Sequence, residues 1–351
     1  MELEPPASRH IAASDASDPL TADASPRHAF LTAGNPRAVL EAAVDSIRRG
    51  DRGVLALVLE TEGSTYAGVG DMVLFDDDLQ VGWLSGGCLE PQLAKRARDV
   101  ADSGRIDWVE IDTRSDDDLL AGSALGCRGR LRIAMLPLRS MPGFDALIHA
   151  WLHDGVTLRA NIGEDGAVAF QAGAQTARWW LHDGNEPWPG SAGSWRLWLP
   201  RLPRLLVLGA GPETPTLLPL LRELGWFVCL AERRARWNDM GRSADAHLQL
   251  APAPALHDAG PDAALVMHHD FELDREALDA LAGTDIDFIG LLGPRRRRDD
   301  LFKLLTPGQR DALSPRLRSP VGLDLGGRGP EAIALSIAAQ LQQWRVVAAQ
   351  A

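Results

Sequence analysis

One stretch constrains this chain more than any other: Leu206-Val207-Leu208-Gly209-Ala210-Gly211-Pro212-Glu213-Thr214. The apolar run is strand-length, two glycines spaced by one residue turn the chain tightly, and a helical pattern follows. Further apolar runs at 227–231, 247–250, 264–267 and 288–292 alternate with helical patterns around 214–224, 274–282, 298–305 and 330–343. Repeated strand and helix require a parallel sheet with helices on both faces. Residues 204–351 are therefore read as a Rossmann-like domain.

Amide groups in such a turn, ahead of a helix, are placed to meet a phosphate. Gly209 and Gly211 are thus candidate ligand contacts. Glu232 ends the second strand, where an acid bonds the ribose of a dinucleotide, and Arg233 and Arg234 would admit a 2′-phosphate. Against this stand Thr214, in place of the third glycine, and Pro212, Pro215 and Pro219, which remove N–H donors. A phosphate-facing turn and a ligand-free Rossmann turn both fit.

Ligands of open parallel sheets gather at the carboxyl ends of strands. That singles out His268 and Asp270 in His268-His269-Asp270. Neighbours on extended chain point to opposite sides, so one histidine in the cleft fits better than a two-histidine metal site. Arg295 opens a run of four arginines, either an anion clamp or a solvated face paired with Asp299 and Asp300. Asp324 lies in Gly322-Leu323-Asp324-Leu325-Gly326-Gly327, either a second cleft loop or plain turn chemistry.

The first half has a different grammar. Residues 1–31, rich in Ala, Ser, Asp and Pro, read as a disordered tail. Residues 32–175 read as a mixed α/β domain. It has a helix from Pro36, strands near 54–59, 72–75, 80–84, 108–111 and 131–136, a helix near 144–153, and hairpin strands near 158–162 and 167–170. Residues 176–203, dense in Trp, Pro and Gly, read as a linker whose tryptophans need a surface to pack on.

Within that half, Gly86 and Gly87 lead into Cys88 at the start of a helix. The helix dipole there favours a thiolate, the form that attacks electrophiles or binds a soft metal. A small residue in a tight turn is the plainer alternative. Cys127, in Gly126-Cys127-Arg128-Gly129, is a second glycine-flanked cysteine beside a cation, whereas Cys229 sits mid-strand and reads as core.

A chain of 351 residues is long enough for two domains. Its net charge of −12 argues against a nucleic acid partner. No apolar run approaches a membrane span, and the first residues do not form a secretory signal. Three widely spaced cysteines do not make a disulfide framework, and the cytoplasm is the expected compartment.

Taken together, these segments resemble the XdhC/CoxI family, the accessory proteins of xanthine dehydrogenase and related molybdenum hydroxylases. The likeness rests on Thr61-Glu62-Gly63-Ser64-Thr65-Tyr66, Gly70-Asp71-Met72, Ser85-Gly86-Gly87-Cys88-Leu89-Glu90 and Gly209-Ala210-Gly211. It continues through Val266-Met267-His268-His269-Asp270, Ile289-Gly290-Leu291-Leu292-Gly293-Pro294-Arg295 and Pro320-Val321-Gly322-Leu323-Asp324-Leu325-Gly326, and closes on Ala332-Ile333-Ala334-Leu335-Ser336-Ile337. In the family, Cys-Gly-Gly is common around the second cysteine, where Arg128 intervenes here.

The resemblance implies an N-terminal XdhC/CoxI domain followed by a Rossmann domain. It implies binding of the molybdenum cofactor (molybdopterin), help with its sulfuration, and insertion into a xanthine dehydrogenase-like hydroxylase. The apo-hydroxylase and a cysteine desulfurase would be partners, and a homodimer is compatible with the sequence. The cofactor's phosphate would suit the glycine turn or the arginines, and its soft metal a thiolate such as Cys88. No nucleophile–base–orienter set stands out, so a maturation factor is expected rather than a catalyst. The alternatives are an NAD(P)-dependent oxidoreductase and a protein-interaction scaffold.

Overall fold

The computed structural model describes residues 36–77, 79–114, 129–181, 188 and 193–348. Cys127 and the 1–31 tail lie outside the described residues.

Three sheets organise the chain. The first is antiparallel, with β1 (Val54–Gly63), β2 (Met72–Phe75), β3 (Gln80–Val81), β4 (Asp107–Asp112) and β5 (Gly129–Pro137) in the order β3-β2-β1-β5-β4. Side chains alternate along a strand. Leu55, Leu57 and Leu59 of β1 therefore join one core with α1 (Pro36–Arg49) and α3 (Phe144–His153). Val54, Ala56 and Val58 join another with α2 (Glu90–Ser103). Burial on both faces is why β1 reads as an unbroken apolar run.

The second sheet is antiparallel, in the order β8-β7-β6-β9, built from β6 (Leu158–Gly163), β7 (Ala167–Ala172), β8 (Gln175–Trp180) and β9 (Ser194–Leu199). Residues 176–203, read above as a linker, thus contribute strands. Their tryptophans do pack: Trp195 lies 5.4 Å from Trp108, and its Nε1–H donates to Glu60 at 2.6 Å.

The third sheet is parallel: β10 (Arg204–Leu208), β11 (Phe227–Ala231), β12 (Ala246–Leu248), β13 (Ala263–Val266), β14 (Phe288–Leu291) and β15 (Leu317–Arg318). Its order, β12-β11-β10-β13-β14-β15, is the doubly wound Rossmann arrangement, with the switch point between β10 and β13. On one face Leu205 and Val207 meet α4 (Thr214–Glu223) and α9 (Pro330–Ala348). On the other, Leu206 and Leu208 share a core with α5 (Pro252–Ala259) and α6 (Phe271–Ala282). The arginine run opens α7 (Arg295–Phe302), and α8 (Pro307–Leu313) follows.

The first half docks on the amino ends of these parallel strands. Arg37 of α1 is buried and donates to the Trp226 carbonyl and to Asp245, which also accepts from the Val228 amide and from Arg222. Beside it, the His153 ring meets Phe227 edge-on at 5.8 Å, and Arg204 donates to the His153 carbonyl at 2.6 Å. Arg204 and Phe227 open β10 and β11. The carboxyl ends of the strands are thus about 13 Å further along, at roughly 3.3 Å per residue.

Candidate functional site

Two glycine loops were singled out by sequence, and they differ in kind. The 209–211 loop is buried. Its amides are already engaged: Gly209 N–H donates to the Ala231 carbonyl at 2.9 Å, Ala210 N–H to Glu232 at 2.8 Å, and Gly211 N–H to Thr214 Oγ1 at 2.8 Å. Pro212 has no N–H to add. Thr214, the departure from the glycine fingerprint, is thus the hydroxyl that closes the turn. A phosphate here would have to displace intramolecular bonds.

The glycines make room for histidines. A Cβ on Gly209, where φ is +90°, would lie 2.5 Å from the His268 ring, and one on Gly211 would lie 2.5 Å from His269 Nε2. His269 has φ +55°, the one positive-φ non-glycine residue among those described, and its Nε2 lies 3.0 Å from the buried Glu213 carboxylate. His268 is buried, and its Nδ1 lies 3.1 Å from Asp274, which also accepts from Arg297 at 2.7 Å. Two histidine–carboxylate pairs therefore close over the turn.

Glu232 is buried as well, with both oxygens committed. They accept from Ala210 N–H, from the Arg234 amide at 2.7 Å and from the Arg234 guanidinium at 2.6 and 2.9 Å. Burial opposes its charge, but the hydrogen bonds from Arg234 and Ala210 outweigh it and hold the carboxyl below its ordinary range. Arg234 also donates to the carbonyls of His268 and Ala210, so it straddles the ends of three strands. The cavity left beside this pair is about 80 Å³, well short of the roughly 300 Å³ at which ligand pockets begin.

The remaining candidates at this edge are peripheral. Asp270 is the N-cap of α6, accepting from the Glu272 and Leu273 amides. Arg295 and Asp324 are exposed. Arg297, which the sequence did not single out within its run, is the arginine that points inward to Asp274.

The 86–88 loop is open. Gly86 and Cys88 are exposed, and beneath them Glu90 is buried. Glu90 accepts from the Leu84 amide at 3.0 Å, the Ser85 amide at 2.9 Å and the Ser85 hydroxyl. The Ser85 oxygen in turn accepts from the Gly87 and Leu89 amides at 3.1 Å. Burial works against the Glu90 charge, but these donors prevail and depress its pKa. Sequence reasoning missed Glu90; an acid flanked by Leu89 and Leu93 of a buried stripe was the available signal. The helix begins at Glu90, so Cys88 stands two residues before it. Cys229 is core, its thiol pushed up to about 11 by burial.

Asp71, at the same end of the first sheet, is buried and accepts from the Gly68 amide at 2.7 Å; burial raises its pKa to about 6. No hydrogen bond, ion pair or ring contact among the described residues joins Cys88 to the 209–211 loop or its histidines. No group of three or more His, Cys, Asp or Glu among the described residues is arranged to hold a metal ion. No helix among them is long and apolar enough to cross a membrane.

An antiparallel α/β domain with an exposed thiol on a pinned glycine loop is thus joined to a Rossmann domain whose own glycine loop is bonded internally. Family models agree with the division: residues 46–112 match the XdhC and CoxI family, and residues 205–341 match the XdhC Rossmann domain. The chain belongs to the XdhC/CoxI family. It is 27% identical over 337 residues to a probable xanthine dehydrogenase subunit of Bacillus subtilis, covering 89% of this chain and 98% of that one. It is 26% identical to the molybdenum cofactor insertion chaperone PaoD of Escherichia coli, covering 92% of each. A crystal structure described as a xanthine dehydrogenase from Bacillus halodurans superposes with a TM-score of 0.68 at 28% identity, covering 87% of this chain and 95% of that one.

Proposed function

We propose that this protein is a maturation factor that binds the molybdenum cofactor and assists its sulfuration and insertion into a xanthine dehydrogenase-type hydroxylase. The observation that carries the reading is the exposed Cys88 thiol on a loop fixed from below by Glu90 and Ser85. When bound, the cofactor supplies a soft metal and a pterin. Cys88 would hold the soft centre, and Gly86 and Gly87 would let it approach. Glu90 keeps the loop from rearranging as the ligand enters and leaves. An apo-hydroxylase and a cysteine desulfurase are the partners this role requires. The start of the second domain at residue 204 and a cytoplasmic location belong to the same proposal.

The NAD(P) reading has less support. Glu232 is turned onto Ala210 and Arg234, and the loop amides are engaged. Titration with all four nicotinamide forms is expected to show no binding at millimolar concentration.

The decisive experiment is expression with molybdopterin synthesis intact, then mass analysis of what copurifies with the wild type and with Cys88→Ala. Cofactor is expected with the wild type and lost in the variant. Its absence from the wild type, with a target hydroxylase maturing normally without this chain, overturns the proposal.

A further inference from the structure

Trp83, just ahead of the cysteine loop, is 56% exposed, although a tryptophan ring is the side chain with most to gain from burial. It is not pointing at random. Its ring edge lies 3.8 Å from where a Cβ on Gly87 would stand, so it borders the glycine pair. Gly87 needs to be glycine, since its φ is +103°. Gly86 does not: its φ is outside the left-handed region, and a Cβ there would meet nothing within 4 Å. Neither backbone strain nor packing calls for glycine at 86, yet the position carries no side chain and lies exposed, between the exposed Trp83 and Cys88 in the chain.

The segment ahead of β2 is exposed as well: Tyr66 is 56% exposed and Val69 39%. The two segments meet at one end of the first sheet, where a Cβ on Gly82 would lie 2.6 Å from the Met72 carbonyl. Below, Glu90 and Ser85 hold the loop, so the open floor does not collapse onto the ring.

We infer that Trp83 and the bare backbone at Gly86 form a stacking face for a planar heteroaromatic ring, the pterin, beside Cys88. This rests on the cofactor reading above and names a binding residue within it. The ring stacks on Trp83, the bare backbone at Gly86 leaves room for it, and Cys88 faces the ligand's soft end. Stacking of a heterocycle on an aromatic side chain, removed by alanine, weakens binding about 5- to 150-fold.

The test uses the purified full chain and metal-free, unsubstituted pterin, followed by equilibrium dialysis with fluorescence detection. Trp83→Ala is expected to raise Kd about 5- to 150-fold, and Trp83→Phe to restore most of the affinity. Gly86→Leu is expected to abolish binding with an unchanged melting temperature. Saturating pterin is expected to slow alkylation of Cys88. Equal pterin affinity in wild type, Trp83→Ala and Gly86→Leu overturns the inference. So does no binding by the wild type at millimolar pterin, or Cys88 alkylation indifferent to saturating pterin. If pterin binds as expected while no molybdenum cofactor copurifies, the stacking face stands and the cofactor reading fails.

Discussion

The two glycine loops share a motif-level description and have opposite constructions. At 209–211 the glycines are needed because other parts of the chain press against them; at 86 the glycine is surrounded by space. The buried loop uses its amides on Ala231, Glu232 and Thr214, and the exposed loop is held by donors that feed a carboxylate from beneath. A glycine that is sterically required reports on packing. A glycine that is not required reports on access.

The comparison breaks hardest at Gly209. Gly209→Ala demands φ +90° of a non-glycine residue and overlaps His268 at its Cα as well as its ring. A loss of at least about 3 kcal/mol is expected in urea unfolding. A mild effect would mean that His268 moves aside and that the loop is less closed than described.

Next comes Glu90→Ala, which strands two backbone amides and the Ser85 hydroxyl. About 3 kcal/mol is expected, together with faster amide hydrogen exchange confined to residues 84–89. Slow exchange there would show that the loop does not depend on Glu90.

Asp71→Asn sharpens the same end of the molecule through pH. The unfolded carboxyl titrates near about pH 4, and burial raises the folded one to about 6. Between those values the folded chain binds more protons, so this group's contribution to stability falls as pH rises from about 4 to 6 and stays low above. The asparagine variant keeps an acceptor for Gly68 N–H. It is expected to be more stable than wild type by about 2–3 kcal/mol at pH 7–8, with the advantage gone at pH 4. Melts across that range check it; a constant difference would remove the titration argument.

The smallest effect belongs to Gly86→Ala. Stability is expected to be unchanged or to rise by less than about 1 kcal/mol. A clear loss in thermal melts would mean that the space above the loop is not free.

Much of the framework was legible in the sequence. Short apolar runs alternating with helices gave the parallel sheet and set Gly209 in the turn after its first strand; that this turn lies at the switch point came with the strand order. The closure of that loop was not legible, because it depends on His269 meeting Glu213, 56 residues away, and on Glu232 turning inward to Arg234. Local motifs carry no record of such pairings. The strands between 175 and 199 were hidden by their Trp-rich neighbourhood, even though the demand of those tryptophans for a surface was read correctly. Cys88 was found by its glycines. Glu90 was missed, since a buried acid in a helix's first turn looks like an ordinary dipole partner until its acceptor geometry is seen.

Arg37 bears on modularity. Its guanidinium, sunk among the Trp226 carbonyl, Asp245 and Glu41, ties the first helix of one domain to the strand entrances of the other. Excising the first half would leave Asp245 with Arg222 and the Val228 amide, and bare the ring of Phe227. A chimera that traded either domain would have to transplant Arg37 and Asp245 as a unit. Despite two recognisable folds, the halves share a buried ion pair and are not freely interchangeable parts.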